Sequence, residues 1–158
     1  MISFPSGTGH ITLAQASANG ELVNAGAPIT YSHWTFSPNF PADTVISFDG
    51  ASVIVTGSFS ATNIYTWSYQ VSVAGAAIKG AHGSVVAPPG KGLNMYGMGA
   101  VPKAAAPNEA IIITTLDGAP QLQITGVTFA PPAATVTTNN FLLAGGPISS
   151  VRNDWTMS

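Results

Sequence analysis

Three histidines, four Lys or Arg and six Asp or Glu are the whole acid/base inventory of this 158-residue chain, and cysteine is absent. Without thiols, disulfides and thiolate metal sites are excluded. His10, His33 and His82 lie far apart, in neither an H-x-H nor an H-x-x-x-H arrangement, and no Asp or Glu stands at ligand spacing beside them. They read as exposed or singly hydrogen-bonded side chains, and no metal is expected. Calcium loops alternate oxygen ligands, whereas Asp49-Gly50 and Asp117-Gly118 stand alone and are explained as turns. Glu21, Asp43, Glu109 and Asp154 then remain to furnish the facing carboxyl pair a glycosidase needs, and nothing in their spacing pairs them.

Phosphate chemistry fares no better. Pro88-Pro89-Gly90-Lys91-Gly92 lacks the G-x-x-x-x-G-K-[ST] pattern and precedes no helix, so it reads as a loop. Gly97-Met98-Gly99 fails as a dinucleotide fingerprint because Pro102 occupies the place of the final glycine. There is no G-x-S-x-G elbow. The sequence therefore reads as non-enzymatic, with no catalytic residue and no cofactor.

Binding chemistry is better represented, by aromatic rings. Tyr31, Trp34, Phe36 and Phe40 cluster in a Pro-bounded region, and Tyr65, Trp67 and Tyr69 line one face of an alternating segment. Such rings could stack on sugars or fill a subunit interface. For the second cluster, whose opposite face is wholly polar, the first reading is the core. The first cluster breaks strict alternation and reads as a loop whose rings cap the fold or meet a neighbour.

The elements that would position these rings are strands. Ile64 to Val73 alternates, with Tyr65, Trp67, Tyr69, Val71 and Val73 on one side and Thr66, Ser68, Gln70 and Ser72 on the other. Asn19-Gly20, Asp49-Gly50 and Asp117-Gly118 predict two-residue hairpin turns, the latter two joining Thr44–Phe48 to Ala51–Thr56 and Ala110–Leu116 to Ala119–Thr125. At Gly126 the apolar phase slips from Leu122 and Ile124 to Val127 and Phe129, which predicts a bulge or bend. Proline-rich stretches at Ala87–Gly92, Ala100–Pro107 and Ala130–Ala134 read as connections. No stretch shows a 3.6 period, and Lys103–Ala110 could hold one helical turn at most. The expectation is eight to ten short strands in one all-β domain over 1–158, an antiparallel β-sandwich of jelly-roll type with extended segments at both termini.

Charged residues make up only 6% of the chain against about 25% in ordinary soluble domains, and the net charge is -2. Ser, Thr, Asn and Gln number 44, so the polar surface is largely neutral. Such a surface desolvates cheaply, which predicts a homo-oligomer, a trimer or a larger shell. The dispersal of Lys79, Lys91, Lys103 and Arg152 leaves no basic patch for nucleic acid. No apolar run approaches the roughly 18 residues of a spanning helix, and no Sec-type signal is expected, since the first basic side chain is Lys79.

The run Tyr65-Thr66-Trp67-Ser68-Tyr69-Gln70-Val71-Ser72-Val73-Ala74-Gly75-Ala76-Ala77-Ile78-Lys79-Gly80, an aromatic-alternating strand, a short turn and a second strand, resembles jelly-roll virion proteins. These are phage capsid proteins and trimeric spike or head-fibre domains, with C1q/TNF-like trimers as relatives. The resemblance implies a structural virion protein that assembles with itself and with other virion proteins; the absence of a basic arm favours an outer shell, a spike, or a shell over an inner membrane. The alternative is an extracellular carbohydrate-binding or lectin-like module using the rings of Tyr31, Trp34, Phe36, Tyr65, Trp67 and Tyr69 on a surface glycan.

Overall fold

The computed structural model describes residues 1–60, 63–86, 93–102, 110–117, 121–144 and 150–157. Thirteen strands occur among them: β1 (Ile2–Ser3), β2 (Thr8–Thr12), β3 (Val23–Asn24), β4 (Ile29–Phe36), β5 (Val45–Asp49), β6 (Ser52–Thr56), β7 (Ile64–Val73), β8 (Ile78–Val86), β9 (Leu93–Pro102), β10 (Ala110–Asp117), β11 (Gln121–Ala133), β12 (Thr135–Leu143) and β13 (Ser150–Met157). They form a seven-stranded sheet, in the order β1-β3-β4-β7-β12-β9-β10, and a six-stranded sheet, β11-β8-β13-β6-β5-β2. Apart from the short parallel pair of β1 with β3, every pairing is antiparallel. From β7 to β13 the chain crosses to the other sheet at every connection except the one between β9 and β10. This is the expected β-sandwich of jelly-roll type, with thirteen strands among the described residues where the sequence predicts eight to ten.

Alternation in β7 is as strict as the sequence implies. Tyr65, Trp67, Tyr69, Val71 and Val73 are buried, and the residues between them face outward. The hairpin expected at Asp49-Gly50 also forms, with its loop one residue further on: Asp49 is the last residue of β5, opposite Ser52, and Gly50-Ala51 make the turn. Gly50 takes φ 57 and Ala51 stays negative, the pattern of a turn that needs glycine at its first central position. At Gly126 the pairing with β8 jumps between Ile124 and Val127, which is the anticipated bulge.

Four local expectations are corrected. Asn19-Gly20 does take positive φ at both residues, but it ends a short helix, α1 (Leu13–Ser17), and makes no hairpin. The helix starts at Thr12, whose side chain accepts from the Gln15 N–H while the Gln15 side chain accepts from the Thr12 N–H, a capping box within a stretch too short to display a period. Across Asp117 the two strands do not pair with each other: β10 joins β9 and β11 joins β8, in different sheets. Gly118 lies outside the described residues. The Ala130–Ala134 stretch is largely strand, since β11 runs through Pro131 and Pro132 to Ala133. As the edge strand of its sheet it needs no N–H there, and the register shifts between Thr128 and Ala133. Ala100–Pro102 likewise belong to β9, while 103–109 and 87–92, the latter read as a loop from the sequence, lie outside the described residues.

One core fills the space between the sheets. Ile46, Phe48, Val53, Val55, Val85, Val151 and Trp155 from the six-stranded sheet meet Tyr31, Trp34, Tyr65, Trp67, Tyr69, Tyr96 and Leu142 from the other. Among the described residues no helix is long and apolar enough to cross a membrane.

Candidate functional site

The aromatic residues singled out in the sequence come together, but inside the sandwich. Tyr31, Trp34, Tyr65, Trp67 and Tyr69 are each no more than 3% exposed, and Phe36 is half-buried. Trp34 stacks on Tyr69 at 4.6 Å and lies parallel to Phe36 at 6.1 Å. Phe40, buried in the connection after β4, meets Phe36, Phe59, Tyr65 and Trp67 edge to face. A sugar ring reaches none of the five buried rings while the sheets remain packed.

Their polar atoms form a network between the sheets. The Tyr69 hydroxyl donates to Asn153 Oδ1 at 2.7 Å and accepts from Trp155 Nε1 at 3.1 Å. Asn153 Nδ2 donates to the Tyr96 hydroxyl at 2.8 Å, which in turn donates to Asn140 Oδ1. Burial pushes the phenols of Tyr31, Tyr69 and Tyr96 well above the ordinary tyrosine range; for Tyr31 the negative charge of Asp154 adds to the effect. Trp34 Nε1, Trp67 Nε1 and Asn140 Nδ2 are buried without a hydrogen-bond partner.

With the rings in the core, the outward faces carry what chemistry remains. On the six-stranded sheet, register places His82 opposite Asp154 and Asp154 opposite Ser52. Arg152 Nε donates to Asp154 Oδ1 at 2.8 Å and Arg152 Nη2 to the Ser52 hydroxyl at 3.1 Å, while Ser52 donates to Asp154 at 2.6 Å. His82 Nδ1 stands 3.7 Å from the same carboxylate. Sequence spacing hid this pair, because β8 and β13 become neighbours only in the sheet. Among the described residues no group of three or more His, Cys, Asp or Glu converges as a metal site.

The outward face of the seven-stranded sheet is different in kind. Not one Asp, Glu, Lys or Arg occurs in β4, β7, β9 or β12. Pairing sets Thr35 and Asn139 on either side of Ser68, and Ser32 and Thr137 on either side of Gln70. Thr35 and Ser68 share a short hydroxyl contact, and the Ser72 and Thr135 hydroxyls lie 3.2 Å apart. Phe141 is half-buried on this face, opposite Thr66 on β7 and Gly97 on β9.

One residue of this face is strained. His33 has φ 59, in the left-handed region where a residue with a Cβ is uncommon, and it forms the bulge at which the pairing with β7 slips between Ser32 and Thr35. The bulge explains why the first aromatic cluster lacks alternation. It is a strand with one extra residue, so that Tyr31, Trp34 and Phe36 all turn inward, and the loop reading is corrected for these three while Phe40 lies in the connection. The His33 ring is exposed, with Nδ1 2.8 Å from the buried Ser32 hydroxyl. Gly20 lies against it from behind: a Cβ there would sit 3.3 Å from the His33 Cα.

No family model matches the chain, and no curated protein matches it. Among solved structures it is similar to TmCBM61 in complex with beta-1,4-galactotriose, at 8% identity and TM-score 0.42 over 79% of this chain and 87% of that one. It is similar to a CBM4 structure at 11% identity and TM-score 0.39, covering 98% and 96% of the two chains. The enzymatically active domain of bacteriophage CBA120 tailspike protein 4 matches at 9% identity and TM-score 0.39, over 84% of this chain and 20% of that chain. Likenesses this distant decide nothing about activity.

Proposed function

We propose that the protein is a non-catalytic, extracellular glycan-binding module that takes uncharged sugars on the outward face of β4, β7 and β12. The observation that carries this reading is the composition of that face: hydroxyl and amide side chains, no charge, and the half-buried ring of Phe141 among them. Hydroxyls and amides both donate and accept, as sugar hydroxyls do, and they lose less on desolvation than ions. A partly exposed aromatic ring offers a stacking surface for the apolar side of a pyranose. This site replaces the buried rings of the core as the place where glycan would bind.

The experiment is a screen of the purified protein against an array of neutral and acidic oligosaccharides, followed by titration calorimetry on the best binder. Neutral sugars should bind, and Phe141→Ala should weaken them at least about tenfold with the fold intact. Binding of no neutral sugar would overturn the reading.

A second reading keeps the protein a homo-oligomeric virion subunit, a trimer or shell in contact with other virion proteins. It is favoured by the edge strand β2, where Thr8, His10 and Thr12 present no lysine or carboxylate to deter pairing. Light scattering that gives a trimer or larger mass, unchanged between ~0.05 and ~1 M salt, would support it; a strict monomer would remove it.

A further inference from the structure

We propose that His33 is the specificity-determining residue of this sugar-binding face, its ring held outward by the bulge so that Nε2 donates to a ligand hydroxyl. The inference rests on the glycan reading above. A bulge that needed only its backbone conformation would be met by glycine, which takes positive φ without steric cost. Here a histidine occupies it at φ 59, and the surroundings are built to hold it there. The Asn19-Gly20 turn, itself left-handed at both residues, lets its backbone lie against the His33 Cα, and Trp34 immediately after is locked by stacking on Tyr69. Strain that a fold maintains in this way marks a side chain wanted for something other than packing. The ring itself is exposed, so packing does not account for it.

The ring is also oriented. The Ser32 hydroxyl, 2.8 Å from Nδ1, holds the imidazole plane, and we assign the tautomer in which Ser32 donates to Nδ1 and the proton sits on Nε2. Neighbouring groups on the face are Gln70, opposite Ser32, and the Thr35–Ser68 hydroxyl pair. A vicinal diol of a neutral sugar matches that set: one oxygen accepts from Nε2 while the other exchanges hydrogen bonds with the Gln70 amide.

The test compares wild type, His33→Gly and His33→Asn, using the strongest neutral oligosaccharide from the array as the probe and reading affinity and melting temperature together. Loss of the ring should weaken binding about tenfold in both variants, the scale of one well-placed hydrogen bond left unmade. Melting temperature should stay equal or rise in His33→Gly, because glycine accepts the bulge conformation freely. His33→Asn, which tolerates left-handed backbone, decides the matter should glycine loosen the strand. Wild-type binding with unchanged affinity in the folded variants would overturn this inference and leave the glycan reading standing. Wild type that binds no neutral sugar overturns both.

Discussion

Tyr69 and Asn153, 84 residues apart in the chain and on opposite sheets, share a buried hydrogen bond of 2.7 Å. It is the centre of the polar network that fixes how the two sheets sit on each other. A sandwich core of apolar contacts alone tolerates sliding, whereas a directional bond between the layers does not.

Tyr69→Phe tests that role. The substitution keeps the ring but leaves Asn153 Oδ1 and Trp155 Nε1 buried without Tyr69, so a loss of about 1–3 kcal/mol is expected in urea unfolding. An unchanged midpoint would mean the network contributes no net stability.

Trp67, 2% exposed, is expected to be a core residue in energetic terms as well. Trp67→Ala should cost about 3–5 kcal/mol. Trp67→Phe should cost much less, because it also removes a buried N–H that has no partner. Equal losses in the two variants would contradict this account.

Alkaline pH should unfold the protein. The folded state keeps the protons of Tyr31, Tyr69 and Tyr96 above the ordinary tyrosine range because their burial disfavours the phenolate. The unfolded chain releases them near pH ~10, so it binds fewer protons than the folded chain above that value, and stability falls as pH rises. Below it the contribution is complete. In a titration followed at the phenolate absorbance, most of the signal should appear together with the loss of tertiary structure; a smooth rise in a chain that stays folded would contradict the burial.

Asp43 offers a local check at the other end of the scale. The Ser58 hydroxyl and backbone N–H both donate to its carboxylate and hold its pKa below the usual carboxylate value. Folding is therefore favoured above the unfolded-state pKa, and the contribution fades as pH falls through the folded one. Carboxyl NMR titration should show a low midpoint for Asp43 that moves up in Ser58→Ala.

What the sequence disclosed depended on range. Strict alternation in Ile64–Val73, the turn at Asp49-Gly50 and the slip at Gly126 are written in adjacent residues, and all three were legible. The partnership of Ser52, His82 and Asp154 was not, because 102 residues separate Ser52 from Asp154 and only sheet order joins them. His33 was half legible: broken alternation around it signalled an irregularity, but a single extra residue in a strand and a loop leave the same trace in sequence. The prolines of β11 misled for the opposite reason, since an edge position forgives what a central strand forbids.

The placement of β13 between β6 and β8 has a consequence for how the molecule is made. Until residues Ser150–Met157 arrive, β6 and β8 each present a bare edge toward the same slot, and neither β6 nor the stretch Gly80–Val86 of β8 carries a lysine or proline to discourage a stranger from filling it. Closure brings together segments about a hundred residues apart, which slows a β-rich chain relative to one built from local contacts. The nascent chain is thus most open to mispairing in the interval just before β13 inserts, and overproduction should be more sensitive to the rate of synthesis than to the stability of the finished fold.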